Sequence, residues 1–160
     1  MDYLFFGLVL MIVFMRLPSI LKNYETEGKL APNIKVEFLS GEQKLLSEIK
    51  GKKILVFWTT WCPPCKVEIG RLHNAISDGE LSEDKVILVN MGQKKKDVLK
   101  YYQKNEYMFK TIMDYDSILS NQLEVSVTPS VIHIDEKNVI DHVGTGLSPM
   151  LIYRAQFFLD

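Results

Sequence analysis

Cysteine is scarce in this chain of 160 residues: Cys62 and Cys65 are the only two. One possible pair excludes the disulfide-dense scaffolds that hold small secreted folds together. Histidine is nearly as rare, with His73, His133 and His142 alone. Excess positive charge is missing as well. The formal net charge is -1, and the one basic run, Lys94 to Lys96, opens an amphipathic stretch and reads as a solvated helix face. Without a clustered basic face, nucleic acid is not an expected partner. The chain also lacks a flavin or nicotinamide motif, internal repeats and low-complexity segments, so any redox chemistry falls to the two thiols.

The N-terminus does hold a long hydrophobic run. Tyr3 to Met15 (YLFFGLVLMIVFM) carries no charge, and the apolar character continues to Leu21, broken by Arg16, Pro18 and Ser19. Residues 3–15 are apolar on every face, which excludes a buried amphipathic helix of the domain. No small-x-small cleavage site follows, and no cysteine is placed there for lipid attachment. Residues 1–21 are therefore expected to be a single-span membrane anchor or uncleaved signal, 22–33 a polar linker, and 34–160 the folded domain. Arg16 and Lys22 follow the apolar run while Asp2 precedes it; the positive-inside tendency alone keeps the domain in the cytoplasm.

Within the domain, Ile34 to Leu39 alternates apolar and polar as a half-buried strand does. A short segment then runs to Ile49. Ile54 to Trp58 is a continuous apolar run, as in a central strand covered on both sides, with Trp58 in the core. Pro63 and Pro64 suit the first turn of a helix, whose apolar stripe is Cys65, Ile69, Leu72 and Ile76, ending at Asp78-Gly79. Val86 to Val89 and Thr111 to Met113 read as strands, Asp97 to Asn105 and Ser117 to Leu123 as helices. Ser130 to Ile134 and Asn138 to Val143 form a hairpin around Asp135-Glu136-Lys137, and Pro149 to Leu159 closes the chain as a helix. The order predicts an α/β fold with a mixed central sheet between helices. The seven methionines are expected in the core and the apolar N-terminus.

The chemistry lies in TTWCPPCK, residues 59–66. A thiolate is the reactive form of cysteine, and a helix N-terminus stabilises it through the dipole and unpaired amides. Cys62 sits at the cap and Cys65 one turn in, which is expected to expose Cys62 for attack and shield Cys65 as the resolving thiol. Zinc is a weaker reading, since His73 lies two turns along the helix and His133 and His142, facing each other across the hairpin, would have to reach the dithiol together. They read as ordinary strand polarity. A structural disulfide is also weaker, because closing so short a loop removes little chain entropy. Pro63 and Pro64 bring no N–H, leaving the Cys65 amide as the main backbone donor to Cys62. With its thiolate less stabilised, the reduced form is less stabilised too, and the couple is expected to be reducing.

WCPPC after ILVFWTT, with Val127-Thr128-Pro129-Ser130 some sixty residues on, resembles the thioredoxin-like three-layer sandwich. Together with Ala31-Pro32, the apolar N-terminus and SVTPSVIHID before a hairpin and Gly144, it is similar to the membrane-anchored TlpA/ResA (DsbE-like) thiol-disulfide oxidoreductases. The resemblance implies a cis Pro129 facing the dithiol, a Thr128 that contacts the partner chain, and a Glu68 that assists proton handling. Trp61 is expected to wall the site beside Pro63 and Pro64. It further implies protein disulfides as substrates, as in apocytochrome c maturation, an upstream membrane thiol reductant, no cofactor beyond the Cys62–Cys65 couple, and an extracytoplasmic bacterial location, against the charge bias. Glu68 as a plain surface charge is the bland alternative. So, for the whole domain, are a disulfide oxidase or isomerase, a redox-switched binding or chaperone module, and a cytoplasm-facing thioredoxin. Two positions depart from the pattern: Gly70 stands where proline is common, and Val56 replaces thioredoxin's buried acid.

Overall fold

The computed structural model describes residues 5–8, 10, 11, 14 and 26–160. The expected anchor falls largely outside them; among the described residues no helix is long and apolar enough to cross a membrane.

The strands are β1 (Lys35–Glu37), β2 (Gln43–Leu45), β3 (Lys53–Trp58), β4 (Val86–Met91), β5 (Lys110–Asp114), β6 (Ser130–Ile134) and β7 (Ile140–Thr145). The helices are α1 (Pro63–Ser77), α2 (Lys95–Asn105), α3 (Ile118–Gln122) and α4 (Leu151–Leu159). Five strands form one sheet in the order β5-β4-β3-β6-β7, with β3, β4 and β5 parallel and β6 and β7 antiparallel to their neighbours. The expected mixed sheet is thus present. The segment before Ile49 holds a strand the sequence pattern did not show, β2, which pairs antiparallel with β1. Its residues Gln43, Lys44 and Leu45 stay at least partly exposed, so no burial pattern marks them.

Alternation along the central strands sorts their side chains onto two faces. Ile54, Val56 and Trp58 of β3 join Val86 and Leu88 of β4 under α1, α2 and α4, in one cluster with Cys62 and Cys65. Leu55, Phe57, Ile87 and Val89 point the other way, toward α3 and the β1–β2 hairpin. Two apolar layers on one sheet explain the unbroken run at residues 54–58, all of it buried. Lys53, at the start of β3, is buried too. Its Nζ donates to Ile49 O at 2.9 Å, Gly51 O at 3.3 Å and Asn138 Oδ1 at 2.9 Å, and burial pushes its pKa down.

The second half of the expected linker belongs to the domain. Gly28 N donates to Ile140 O, Ile140 N to Lys29 O and Ala31 N to Asn138 O, each at 2.8 Å. These bonds pair the segment with the start of β7 and the residues just before it, which is why a polar stretch is held there.

Helix α1 runs unbroken through Gly70. A proline there would lack the N–H that closes the bond back to residue 66; glycine keeps it. A Cβ at Gly70 would meet Tyr107 Oη at 3.5 Å, an ordinary contact. Gly70→Ala should therefore stabilise the fold by about 0.5–1 kcal/mol, because it removes backbone freedom from the unfolded chain without a clash. Chemical denaturation of the two proteins checks this; an equal or lower midpoint refutes it.

Candidate active site

Cys62 is the N-cap of α1, with extended backbone at φ -84° and ψ 107°. Where an oxygen usually accepts the orphan amide of the first turn, here Cys62 Sγ accepts it from Cys65 N at 3.2 Å. Pro63 and Pro64 occupy the first two helical positions, so Cys65 supplies the first available helical N–H. The two sulfurs are joined in a disulfide, with Cα atoms 5.3 Å apart.

Pro129 follows a cis peptide bond, and the loop it belongs to lies over the dithiol: Thr128 O is 3.6 Å from Cys62 Sγ. This corrects one expectation. In the oxidised form Cys62 is only 3% exposed, not open. Two features the linear sequence separates, the helix cap and the Thr128-Pro129 loop, close over it from both sides. Trp61, by contrast, is 69% exposed and stands at the rim, while Trp58 is fully buried as expected.

Glu68 is no surface charge. It is fully buried, three residues along α1 from the equally buried Cys65, a spacing that places both on one side of the helix. Its Oε1 accepts the Ser148 N–H at 2.5 Å, and Arg71 Nη1 lies 3.3 Å from Oε2. Burial raises its pKa above the usual carboxylate range, partly offset by the Ser148 amide and the Arg71 guanidinium. Val56 lies in the same cluster as both cysteines, so the floor beneath the dithiol is apolar and Glu68 is the buried acid on its helix.

The sequence pattern did not single out Gln93. It reaches back to the strand end before the dithiol, accepting from Thr60 N at 2.7 Å and donating to Thr60 Oγ1 at 2.8 Å, while Asn90 Nδ2 donates to its Oε1 at 3.0 Å. The pair of bonds fixes the residue two positions before Cys62. A polar side chain just after a buried strand was the available signal.

The histidines lie elsewhere. His133 and His142 are partners across β6 and β7, with ring centroids 5.5 Å apart, and His73 packs on Tyr107. Among the described residues no group of three or more His, Cys, Asp or Glu side chains is placed to hold a metal ion. A disulfide at a helix cap, under a cis-proline loop and beside a buried carboxyl, is an arrangement for thiol-disulfide exchange.

Residues 28–144 match the AhpC/TSA family. The chain belongs to that family. It is a thioredoxin-like thiol-disulfide oxidoreductase. The chain is similar to the thiol-disulfide oxidoreductase ResA of Bacillus subtilis, 30% identical over 126 residues that cover 78% of this chain and 70% of ResA. The thioredoxin-like protein YneN of the same organism is 34% identical over 125 residues, 74% of this chain and 72% of YneN. Among solved structures, Bacillus subtilis StoA superposes with a TM-score of 0.67 at 23% identity, covering 81% of this chain and 99% of StoA. That likeness carries the fold: the mixed sheet between helix layers is the thioredoxin-like sandwich. Acting on protein disulfides is the activity this oxidoreductase shares with its family.

Proposed function

We propose that this oxidoreductase works as a reductase, anchored by residues 1–21 with its domain on the extracytoplasmic side of a bacterial membrane. The observation that carries the direction is the donor set at Cys62: two prolines without N–H and a single Cys65 amide at 3.2 Å. Fewer hydrogen bonds to the thiolate leave the reduced form less stabilised and the couple more reducing.

In the reduced enzyme the Cys62 thiolate attacks a partner disulfide, forming a mixed disulfide and releasing one partner thiolate, which takes up a proton. Cys65 then gives up its proton, with Glu68 the acceptor, and attacks Cys62 Sγ. The second partner sulfur leaves as a thiolate and is protonated. Two electrons pass to the partner, and the Cys62–Cys65 disulfide is what remains. Thr128-Pro129, against Cys62, holds the partner's extended backbone, with Trp61 as the rim. An upstream membrane thiol reductant must return the electrons. The similarity to ResA, and to DsbE of Pseudomonas aeruginosa at 29% identity over 136 residues, supports disulfides of exported proteins as substrates, apocytochrome c cysteines among them.

A redox titration tests the direction. A midpoint near thioredoxin, about -270 mV, is expected; one near the strongly oxidising end, about -120 mV, would assign the protein to disulfide formation instead. Catalytic insulin reduction separates an enzyme from a binding module, which would give stoichiometric adducts only. Arg16 and Lys22 favour the opposite topology, so reporter fusions at both ends of the apolar segment decide the location.

Glu68→Gln keeps an acceptor for the Ser148 N–H but loses the base. Because Glu68 holds its proton to a higher pH than a solvated carboxylate, the wild-type resolving step should speed up with pH through that raised value. The variant should lack this inflection and resolve about 100-fold more slowly at neutral pH. Stopped-flow resolution of a preformed mixed disulfide measures it, and an unchanged pH profile would remove Glu68 from proton transfer.

A further inference from the structure

Helix α4 buries Leu151 and Ala155, yet its other side is open. Met150, Tyr153, Arg154 and Phe157 recur at i, i+3, i+4 and i+7, the spacing of one helix face. On that face Met150 is 50% exposed, Tyr153 63% and Phe157 80%. Met150 thus departs from the core placement expected of the methionines. An aromatic stripe facing outward is unusual for a helix side that meets only water, and marks a contact surface. Beside it lies a cleft of about 480 Å³, lined in part by Lys52, Asp135, Asp141, Tyr153, Arg154 and Phe157. Two cations and two acids leave this face electrically balanced.

Where the chain enters the domain identifies what meets the stripe. Residues 28–31 pair with residues 138–140 at the start of β7. Glu27 Oε1 accepts from Val143 N at 2.9 Å and pairs with His142 Nδ1 at 3.0 Å. The other nitrogen of that ring, Nε2, is 2.8 Å from Arg154 Nη1. A single imidazole therefore separates the incoming chain from the α4 stripe. From Leu21, the end of the apolar run, to Glu27 is six residues, which span at most ~22 Å. A chain anchored by that run keeps the α4 edge of the domain next to the bilayer.

We propose that the outer face of α4 rests in the interfacial layer of the membrane that holds the anchor, with Met150, Tyr153 and Phe157 inserted at headgroup depth. The amphipathic Tyr153 ring suits that depth, and Lys52 and Arg154 line the cleft at the polar margin of the face. The proposal rests on the anchored reading of residues 1–21. The balanced charge makes the contact one of aromatic partition, independent of salt and of anionic lipid.

Full-length protein in phosphatidylcholine nanodiscs, one copy per disc, tests this by hydroxyl-radical footprinting. The expected result is loss of modification at Met150, Tyr153 and Phe157, measured against Met108, which is 82% exposed, with no change on adding salt. In a Tyr153→Ser/Phe157→Ser variant, Met150 should regain its reactivity relative to Met108 while the thermal melt is retained. Full reactivity of all three residues in a chain that co-elutes with the disc overturns the docked face and leaves the anchor standing. A chain that does not co-elute overturns both. Protection confined to discs with two copies assigns the stripe to a second molecule and overturns the membrane contact.

Discussion

Cys65→Ala should convert the enzyme into a trap. Cys62 in that variant still attacks a partner disulfide, because its thiolate keeps the Cys65 backbone amide, which an alanine also supplies. The mixed disulfide then has no internal thiol to break it. Intramolecular attack benefits from effective molarities on the order of 10⁵ M or more when the groups are well oriented, and the four-residue cap holds the two sulfurs in that orientation. An external thiol on the order of millimolar replaces it poorly, so turnover should fall by at least about 1,000-fold. Non-reducing electrophoresis should show a stoichiometric adduct that disappears with reductant. Cys62→Ala should give no adduct at all. An adduct on Cys65 in that second variant would reverse the assigned roles; the cap position, where the Cys65 amide meets Cys62 Sγ, argues against such an outcome.

Acid should destabilise the fold through His133. Burial is the main force that holds its imidazole neutral, lowering its pKa to about 4, with His142 and Arg154 adding to the effect. The unfolded chain titrates near 6.5. Between those values the unfolded state binds a proton that the native state refuses, so the stabilisation is complete above about pH 6.5 and is lost as pH falls toward 4. A difference of about 2.5 units corresponds to roughly 3 kcal/mol. His133→Phe removes the titrating group and keeps a ring against Phe158, which lies 4.7 Å away. Urea unfolding at neutral pH and near pH 4 should show the wild type losing roughly 2–3 kcal/mol more than the variant across the interval. Using the change with pH cancels any packing cost of the new ring. Equal losses in the two proteins would show that His133 is solvated.

Much of this was legible along the chain, and the boundary has physical reasons. The helix start at Pro63 and the central strand at residues 54–58 showed because each depends on local chemistry: proline in a first turn, and β-formers buried on both faces. The role of Pro63 and Pro64 in leaving one amide for Cys62 followed from covalent structure alone. What stayed hidden depends on partners far along the sequence. The resemblance pointed to Glu68, but its place along the helix alone did not tell it from a surface charge; its burial and the Ser148 amide, 80 positions on, do. The cover over Cys62 comes from Thr128, 66 positions away. His133 looked like ordinary strand polarity, and the burial that keeps it neutral needs Phe158 on α4. Strand β2 escaped notice because three partly exposed residues carry no periodicity.

The bend between β7 and α4 is fastened to α1 at both of its central residues. Arg71 Nη1 donates to Ser148 O and Nη2 to Pro149 O, each at 2.7 Å, while Ser148 N holds Glu68. Helix α4 begins two residues later. The strap therefore ties the start of α4 to α1 through the same residue that holds Glu68, one turn from Cys65. A shift of the last helix that lengthened the Ser148–Glu68 bond would remove an interaction that lowers the Glu68 pKa, leaving the carboxyl on the resolving thiol's helix a weaker acid.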